Sequence, residues 1–182
     1  MRWKSLFDDV EAQFEAAEQA ALESEVADRF RSEQATLGLV DRMRGQIGLV
    51  LKVAVSNGRV FTGELTHVGS EWLVLSSAAE EVIVPIHAVQ LVEGLGRTVA
   101  LEASRLQQAL GLSSALRTLS RDRAPVTLHR VGSELRVEGV IDRVGKDFVE
   151  LAEVLPGEQR RRTGVSSVFA VPFRSIAAIS TR

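Results

Sequence analysis

The pattern of apolar and polar residues changes character along the chain. Residues 3–35 contain neither Gly nor Pro, and their apolar residues recur at spacings of three and four. This period predicts one long amphipathic helix. From Leu49 onward, short apolar runs between turn residues predict β-strands. The sequence therefore predicts a mainly β protein with helices, of the α+β class.

The apolar stripe of the N-terminal helix begins with four large residues: Trp3, Phe7, Val10 and Phe14. About thirty residues at 1.5 Å per residue form a rod of about 45 Å, which is longer than a small domain can cover. The stripe packs either on the chain's own domain or on the same helix of a second copy. On the second interpretation these four residues form the oligomerisation helix of a homodimer.

Two sets of five short strands follow the helix. The first set is predicted at Leu49–Val55, Val60–Val68, Trp72–Ser76, Val82–Pro85 and Val89–Val92. The second is predicted at Val126–Arg130, Leu135–Val144, Phe148–Glu153, Val168–Pro172 and Ile176–Ile179. Asn57-Gly58 predicts a hairpin turn, and Gly63 within a strand predicts a bulge or a sharp bend.

The two sets of strands are similar in sequence. Gly63–Leu75 superposes on Gly139–Leu151 at an offset of 76, and Val84–Val89 superposes on Val171–Ile176 at an offset of 87. The change of offset indicates an insertion at 155–164, which carries three consecutive arginines. Short helices are predicted at 37–43 and 113–120, one before each set, and another helix at 98–110.

These observations predict four parts of the chain. They are an N-terminal helix at 1–36, a first barrel with its leading helix at 37–96, a helical linker at 97–111, and a second barrel with a basic insertion at 112–182.

The doubled stretches resemble the tandem bacterial Sm-like proteins, whose units are small, SH3-like barrels. The resemblance rests on Gly139–Leu151 and on the later Val171–Ile176, and it covers about residues 37–93 and 112–180. It implies two tandem five-stranded Sm-like barrels. The RNA sites of that family use loop residues that this chain largely lacks, so only Asp147, His87 and Arg174 offer a partial match to them.

The composition limits the kinds of catalytic and binding site that the chain can form. The formal net charge is −2 and there is no cysteine, so cysteine-based catalysis, metal binding and disulfides are excluded. No phosphate-binding loop, dinucleotide turn or nucleophile elbow occurs, and we expect no catalytic residue, metal, cofactor or small-molecule substrate. His67, His87 and His129 are expected to be partly exposed strand residues. No apolar run is long enough to span a membrane, and a cytoplasmic location is expected.

Two functions of different class remain open. The first is a non-enzymatic protein-interaction or scaffold module that offers strand edges and loops to a partner protein or to itself. The second is a regulator that binds RNA or single-stranded DNA through basic side chains. The candidate contacts with nucleic acid or an acidic partner are Arg160, Arg161, Arg162, Arg174, Arg143, Lys146 and Arg130. Trp72 and Phe148 are expected to pack in the core rather than stack on bases.

Overall fold

Ten antiparallel strands pair into one sheet. The computed structural model describes residues 18–19, 22–29, 31–32, 35–100, 110–154 and 165–181. The sheet belongs to the compact unit that begins at Leu39, and residues up to Gly38 form a separate unit.

In the described part of the second unit, two short α-helices alternate with two runs of strands. The helices are α1 (Leu39–Arg44) and α2 (Leu112–Asp122). The first half of the sheet contains β1 (Val50–Val55), β2 (Val60–Val68), β3 (Trp72–Ser76), β4 (Glu81–Pro85) and β5 (Val89–Glu93). The second half contains β6 (Pro125–Arg130), β7 (Arg136–Val144), β8 (Phe148–Val154), β9 (Val165–Pro172) and β10 (Ile176–Thr181). Single 3-10 turns join β4 to β5 at Ile86–Ala88 and β9 to β10 at Phe173–Ser175.

Strand formation follows the alternation of apolar residues. In β1 every second side chain is buried, at Leu51, Val53 and Val55. Successive side chains of a strand point to opposite faces, so this period of two places one apolar face against the core. Predicted and observed strand bounds agree within a few residues, and β2 and β3 coincide with their predictions.

The order of strands across the sheet is β5-β1-β2-β3-β4-β10-β6-β7-β8-β9. Each half therefore has the same order of neighbours, with its last strand beside its first. The halves join where β4 pairs with β10, and we call this pairing the internal junction. β5 and β9 lie at the two ends of the sheet, and we call their outer sides the open edges.

The prediction of two closed five-stranded barrels is wrong. Closure would require β4 to pair with β5 and β9 with β10, but β4 pairs with β10. The reason lies in the connection: after Pro85 a 3-10 turn carries the chain to β5, which pairs with β1 on the far side of its half. The outer side of β4 is thereby left for β10, and one open sheet results.

The prediction of one long N-terminal helix is also wrong. Among the described residues, the α-helices with defined bounds have 6 and 11 residues. Between residues 18 and 36 the described residues are helical and exposed. The predicted oligomerisation residues, Trp3, Phe7, Val10 and Phe14, lie outside the described residues. The helix predicted over 98–110 is absent at 98–100, and residues 101–109 lie outside the description.

Glycines serve turns and close approaches. Gly58 has a φ of 83° in the predicted hairpin between β1 and β2, a conformation that glycine adopts without strain. Gly63 does not mark a bulge, since the register shifts between Leu65 and His67 instead. A Cβ on Gly63 would lie 2.7 Å from the carbonyl oxygen of Ser76, so glycine lets β2 and β3 approach.

The core consists of two clusters of buried residues, and both cross the internal junction. The cluster under the first half includes Ala177 and Ala178 of β10. The cluster under the second half has Trp72 of β3 and Ile83 of β4 packed against it. Each half therefore completes the core of the other.

Candidate functional site

The open edges are the candidate functional site. Among the residues that the structure describes, β5 pairs only with β1 and β9 only with β8. The outermost strands of a sheet present backbone N–H and C=O groups that no neighbouring strand uses. Such an edge can accept a strand from another chain.

The open edges expose large apolar side chains. Leu91 of β5 is 63% exposed, and Val168 and Phe169 of β9 are 55% and 37% exposed. The eight residues of β9, Val-Ser-Ser-Val-Phe-Ala-Val-Pro, include no charged side chain. Charged residues are one of the devices by which sheet edges avoid pairing. β9 therefore lacks a common protection of a free edge.

The internal junction shows how an edge of this sheet is covered. Ile179 lies opposite Ile83, Ser180 opposite Val82, and Thr181 opposite Glu81. Val82 is 3% exposed and Ile179 is 1% exposed. Val82 and Ile179 are thus removed from water at the junction.

Polar contacts reinforce the packing around the junction. The indole Nε1 of Trp72, at the start of β3, donates a hydrogen bond of 2.9 Å to the carbonyl oxygen of Leu110. The hydroxyl of Ser70 donates to the same oxygen at 3.3 Å. Leu110 precedes the helix α2 of the second half. These bonds hold the β2–β3 turn of the first half against the start of α2.

His129 is a buried titratable group beside the junction. Its ring lies 5.5 Å from the ring of Phe61, edge to face, and its Nε2 lies 3.4 Å from Oγ of Ser180. Burial lowers the pKa of His129 below its ordinary value, and the nearby charge of Arg59 lowers the pKa further. The prediction that all three histidines are partly exposed is therefore wrong for His129, which is 3% exposed. His67 and His87 are exposed.

The predicted basic contacts are only partly brought together. Val131 N donates to Ser175 O, and Phe173 N donates to Asp147 O. These bonds link the turns that carry three exposed cations, Arg130, Arg174 and Lys146.

Arg143 lies elsewhere in the pairing, opposite Glu150, and its Nε is 3.6 Å from the Glu150 carboxylate. Arg160, Arg161 and Arg162 lie outside the described residues. The described part of the chain thus gathers three of the seven predicted basic contacts in neighbouring turns.

The two predicted core aromatics are both partly buried. Trp72 packs against the core of the second half, as the prediction of a packing role requires. Phe148 pairs with Pro172 in the corresponding place between β8 and β9. In both halves the aromatic side chain contacts the preceding turn, since a Cβ on Gly69 or Gly145 would overlap the ring.

Sequence reasoning named strand edges as a docking surface but did not identify which strands form them. The available signal was the lack of charge in β9, together with Phe169 at a position that alternation assigns to the core. Within the described ranges no group of three His, Asp or Glu residues is placed to hold a metal ion. No described helix is long and apolar enough to cross a membrane.

Comparison with known proteins gives no assignment: no protein-family model matches the chain, and no curated protein matches it. Membership of the Sm-like family therefore stays a prediction.

Proposed function

We propose that this protein is a non-enzymatic interaction module that accepts a β-strand of a partner protein at its open edges. The observation that carries the proposal is the uncharged edge strand β9, with Val168 and Phe169 exposed. Strand addition draws its affinity from main-chain hydrogen bonds and its specificity from alternate side chains. β9 offers both, because no described strand pairs with the outer side of its main chain and its exposed side chains are apolar.

The second edge, β5, also exposes an apolar side chain, although it ends at the charged residue Glu93. Leu91 on β5 lies opposite Ala54 of β1, and Ala54 lies opposite Val60 of β2. Leu91 and Val60 are 63% and 59% exposed, so an apolar row runs inward from the edge. Burial of apolar surface stabilises association by about 25 cal/mol per Å². A partner strand on β5 that also covers this row gains more than main-chain bonds.

Nucleic-acid binding is the competing hypothesis. Its support is the group of exposed cations Arg130, Arg174 and Lys146 in neighbouring turns. Opposing it, the whole chain has a formal net charge of −2, whereas binding by phosphate neutralisation normally uses a basic surface. We therefore favour the protein partner and treat nucleic acid as one outcome of the same experiment.

The test compares tagged wild-type protein with two edge variants, Leu91→Lys and Phe169→Lys, in affinity purification from the native source. A lysine at either position places a charge where the partner strand would exclude water. We expect specific proteins to co-purify with the wild type and to be lost with at least one edge variant. The matched control is Thr62→Lys, which changes an exposed residue in β2, away from both edges.

Two results would contradict the proposal. In the first, the co-purifying proteins are unchanged in both edge variants. In the second, nuclease treatment removes the bound material, and Arg130→Ala/Arg174→Ala abolishes binding to an oligonucleotide while the edge variants retain it. The second result would establish the nucleic-acid hypothesis instead. Thermal unfolding of each variant checks that it is folded.

A further inference from the structure

Asn57 is the only asparagine in the chain, and Gly58 follows it directly. No aspartate of the chain is followed by glycine. An asparagine before glycine can react with its own main chain, because the glycine nitrogen is able to attack the side-chain carbonyl carbon Cγ. Glycine permits the attack since it has no Cβ to obstruct the approach. This chemistry is therefore available at one asparagine, in the turn between β1 and β2.

The reaction needs only water. The Gly58 nitrogen loses its proton and forms a bond to Cγ of Asn57, the bond from Cγ to the side-chain nitrogen breaks, and ammonia leaves. Water then opens the resulting cyclic imide at either of its two carbonyl carbons. One opening gives an aspartyl residue at position 57. The other gives an isoaspartyl residue, whose main chain runs through the side chain and is one carbon atom longer.

The folded turn engages both groups that must react. Gly58 N donates a hydrogen bond of 2.9 Å to the carbonyl oxygen of Val55, so its proton already has an acceptor. The side-chain oxygen of Asn57 accepts a bond of 3.1 Å from Arg59 N, which is a common turn for asparagine. The attack requires Gly58 N to release its proton and approach Cγ. Both hydrogen bonds oppose that movement while the hairpin is closed.

The loop of this hairpin has three residues, 56–58, because Val55 N donates to Arg59 O at 2.9 Å. Gly58 has a φ of 83°, and a Cβ there would meet nothing within 4 Å. A turn closed by Gly58 N and Val55 O and followed by a left-handed glycine is a common connection of this length. An additional main-chain atom cannot enter the loop without displacing these two bonds.

The loop sets the register between β1 and β2. Beyond it, Ala54 lies opposite Val60 and Val53 lies opposite Phe61. Val53 and Phe61 are both buried in the core of the first half. A slip of one residue in such a pairing moves buried side chains to the other face of the sheet. A longer loop main chain therefore strains the core.

Two further contacts depend on the same hairpin. Ser56 N donates a hydrogen bond of 2.9 Å to the carbonyl oxygen of Ala88, at the end of the 3-10 turn that leads into β5. The ring of Phe61 lies 5.5 Å from the ring of His129 in the second half. A change of the main chain at residue 57 therefore affects the entry to β5 and a contact between the halves of the sheet.

We propose that Asn57 is a site of self-modification that the closed hairpin suppresses. While the hairpin is closed, Asn57 keeps its amide. Each opening of the loop frees Gly58 N, and the isoaspartyl product prevents the loop from closing in its original register. The loss of ammonia is irreversible in dilute solution, so modified chains accumulate with the number of openings. The inference goes beyond the proposed function, since it requires no partner at the open edges.

The second half contains a comparable turn without asparagine. Ser133 precedes Arg136 of β7 by three residues, as Asn57 precedes Val60 of β2. The Ser133 hydroxyl accepts a hydrogen bond of 3.1 Å from Leu135 N, two residues further on, which is the bond that Asn57 also makes. Serine has no side-chain amide to lose. Asn57→Ser is therefore a matched control that keeps an acceptor in the turn and removes the reaction.

The test follows residue 57 of the wild type at mildly alkaline pH, in folded protein and in concentrated urea. Peptide mapping by mass spectrometry detects the loss of the amide, and an isoaspartyl methyltransferase labels the isoaspartyl product. We expect both products at residue 57 in urea. Modification of the folded protein should be slower by at least about tenfold, because an open state must first be populated. Asn57→Ser should give no label in either condition.

Hydrogen exchange of the Gly58 amide measures the same opening independently. Exchange with solvent requires this N–H to leave the carbonyl oxygen of Val55, as the attack on Asn57 does. The factor by which folding slows the modification should therefore match the factor by which it slows exchange at Gly58.

The stability of the products tests the role of the loop. Protein modified in urea, refolded and separated by chromatography supplies the isoaspartyl form, and Asn57→Asp supplies the aspartyl form. We expect the isoaspartyl form to unfold at a lower urea concentration than the wild type. Asn57→Asp should unfold close to the wild type, because a carboxylate accepts the hydrogen bond from Arg59 N as the amide oxygen does.

The proposal is supported if residue 57 is modified, if folding slows the modification as much as exchange at Gly58, and if the isoaspartyl form is less stable. Equal rates in folded protein and in urea would overturn it, because the hairpin would then give no protection. An intact Asn57 after prolonged incubation in urea would also overturn it, as would an isoaspartyl form as stable as the wild type. These results leave the open edges to be judged by the edge variants alone.

Discussion

The internal junction and the open edges are built from corresponding strands with opposite environments. In the alternation of its strand, Phe169 occupies a core position opposite Leu151, as Val82 does opposite Leu75. Val82 is buried because β10 covers β4, and Phe169 is partly exposed because no described strand covers β9. Burial of a strand residue therefore depends on the neighbouring strand as well as on its own face of the sheet.

The comparison separates stability from association. Apolar residues of the junction contribute to folding of the single chain, because they leave water when β4 and β10 pair. The exposed apolar residues of the open edges, Leu91, Val168 and Phe169, contribute little to folding unless a partner covers them. Substitutions at corresponding residues should therefore have different effects on the free energy of unfolding.

The largest contrast is expected between Ile179→Ala at the junction and Leu91→Ala at the open edge. Ile179 is 1% exposed and belongs to the core, so its truncation should lower the free energy of unfolding by about 2–5 kcal/mol. Leu91 is 63% exposed, and its truncation should change the free energy by less than about 0.5 kcal/mol. Urea unfolding at low protein concentration measures both.

The same pair of variants tests whether the edge is free. If Leu91→Ala destabilises the protein as much as Ile179→Ala at the lowest concentration, the edge is already covered and the comparison is wrong. If the cost of Leu91→Ala increases with protein concentration, a second copy covers the edge.

Much of the strand pattern could be predicted from the sequence, because alternation and turn chemistry are local. Val60–Val68 and Trp72–Ser76 were predicted with their observed bounds, and Asn57-Gly58 correctly marked a hairpin. The error concerned the pairing of strands across the sheet. Whether the outer side of β4 pairs with β5 or with β10 depends on the path of the chain after Pro85, which no local pattern determines.

The candidate site was less accessible to sequence reasoning. An edge strand and a central strand can have similar apolar patterns, as β9 and β4 do, although their neighbours in the sheet differ. The basic residues were more conspicuous in the sequence, but Arg143 proved to be paired with Glu150. His129 was missed as a buried residue because its environment comes from Phe61 and Ser180, distant along the chain.

A second difference between the halves predicts pH-dependent stability. His129 lies opposite Ala178 at the place where the first half has Ala54 opposite Leu91. The pKa of His129 is lowered chiefly by burial and then by Arg59, with a smaller lowering by Arg136 and an opposing effect of Glu80. The unfolded chain therefore binds a proton at a higher pH than the folded chain does.

Because of this difference in pKa, the free energy of unfolding decreases as the pH falls. The stability contributed by neutral His129 is complete above its unfolded pKa of about 6.5 and is lost as pH falls below that value. One histidine gives a slope of at most about 1.4 kcal/mol per pH unit. Urea unfolding between pH 7.5 and 5 measures the slope. His129→Leu should reduce it, while His87→Gln, at an exposed site, should leave it unchanged; equal slopes in both variants would contradict the assignment.

The smallest effect is expected at Trp72, whose counterpart Phe148 has no N–H to donate. Trp72→Phe removes the 2.9 Å hydrogen bond to Leu110 O and should destabilise the chain by about 0.5–1.5 kcal/mol. The lower end is expected, because Ser70 still donates to the same oxygen at 3.3 Å. In a Ser70→Ala background the same substitution should cost more, because Leu110 O then loses both donors. A double-mutant cycle measures this coupling, and strictly additive effects would show that the two bonds do not share the work of holding the β2–β3 turn against α2.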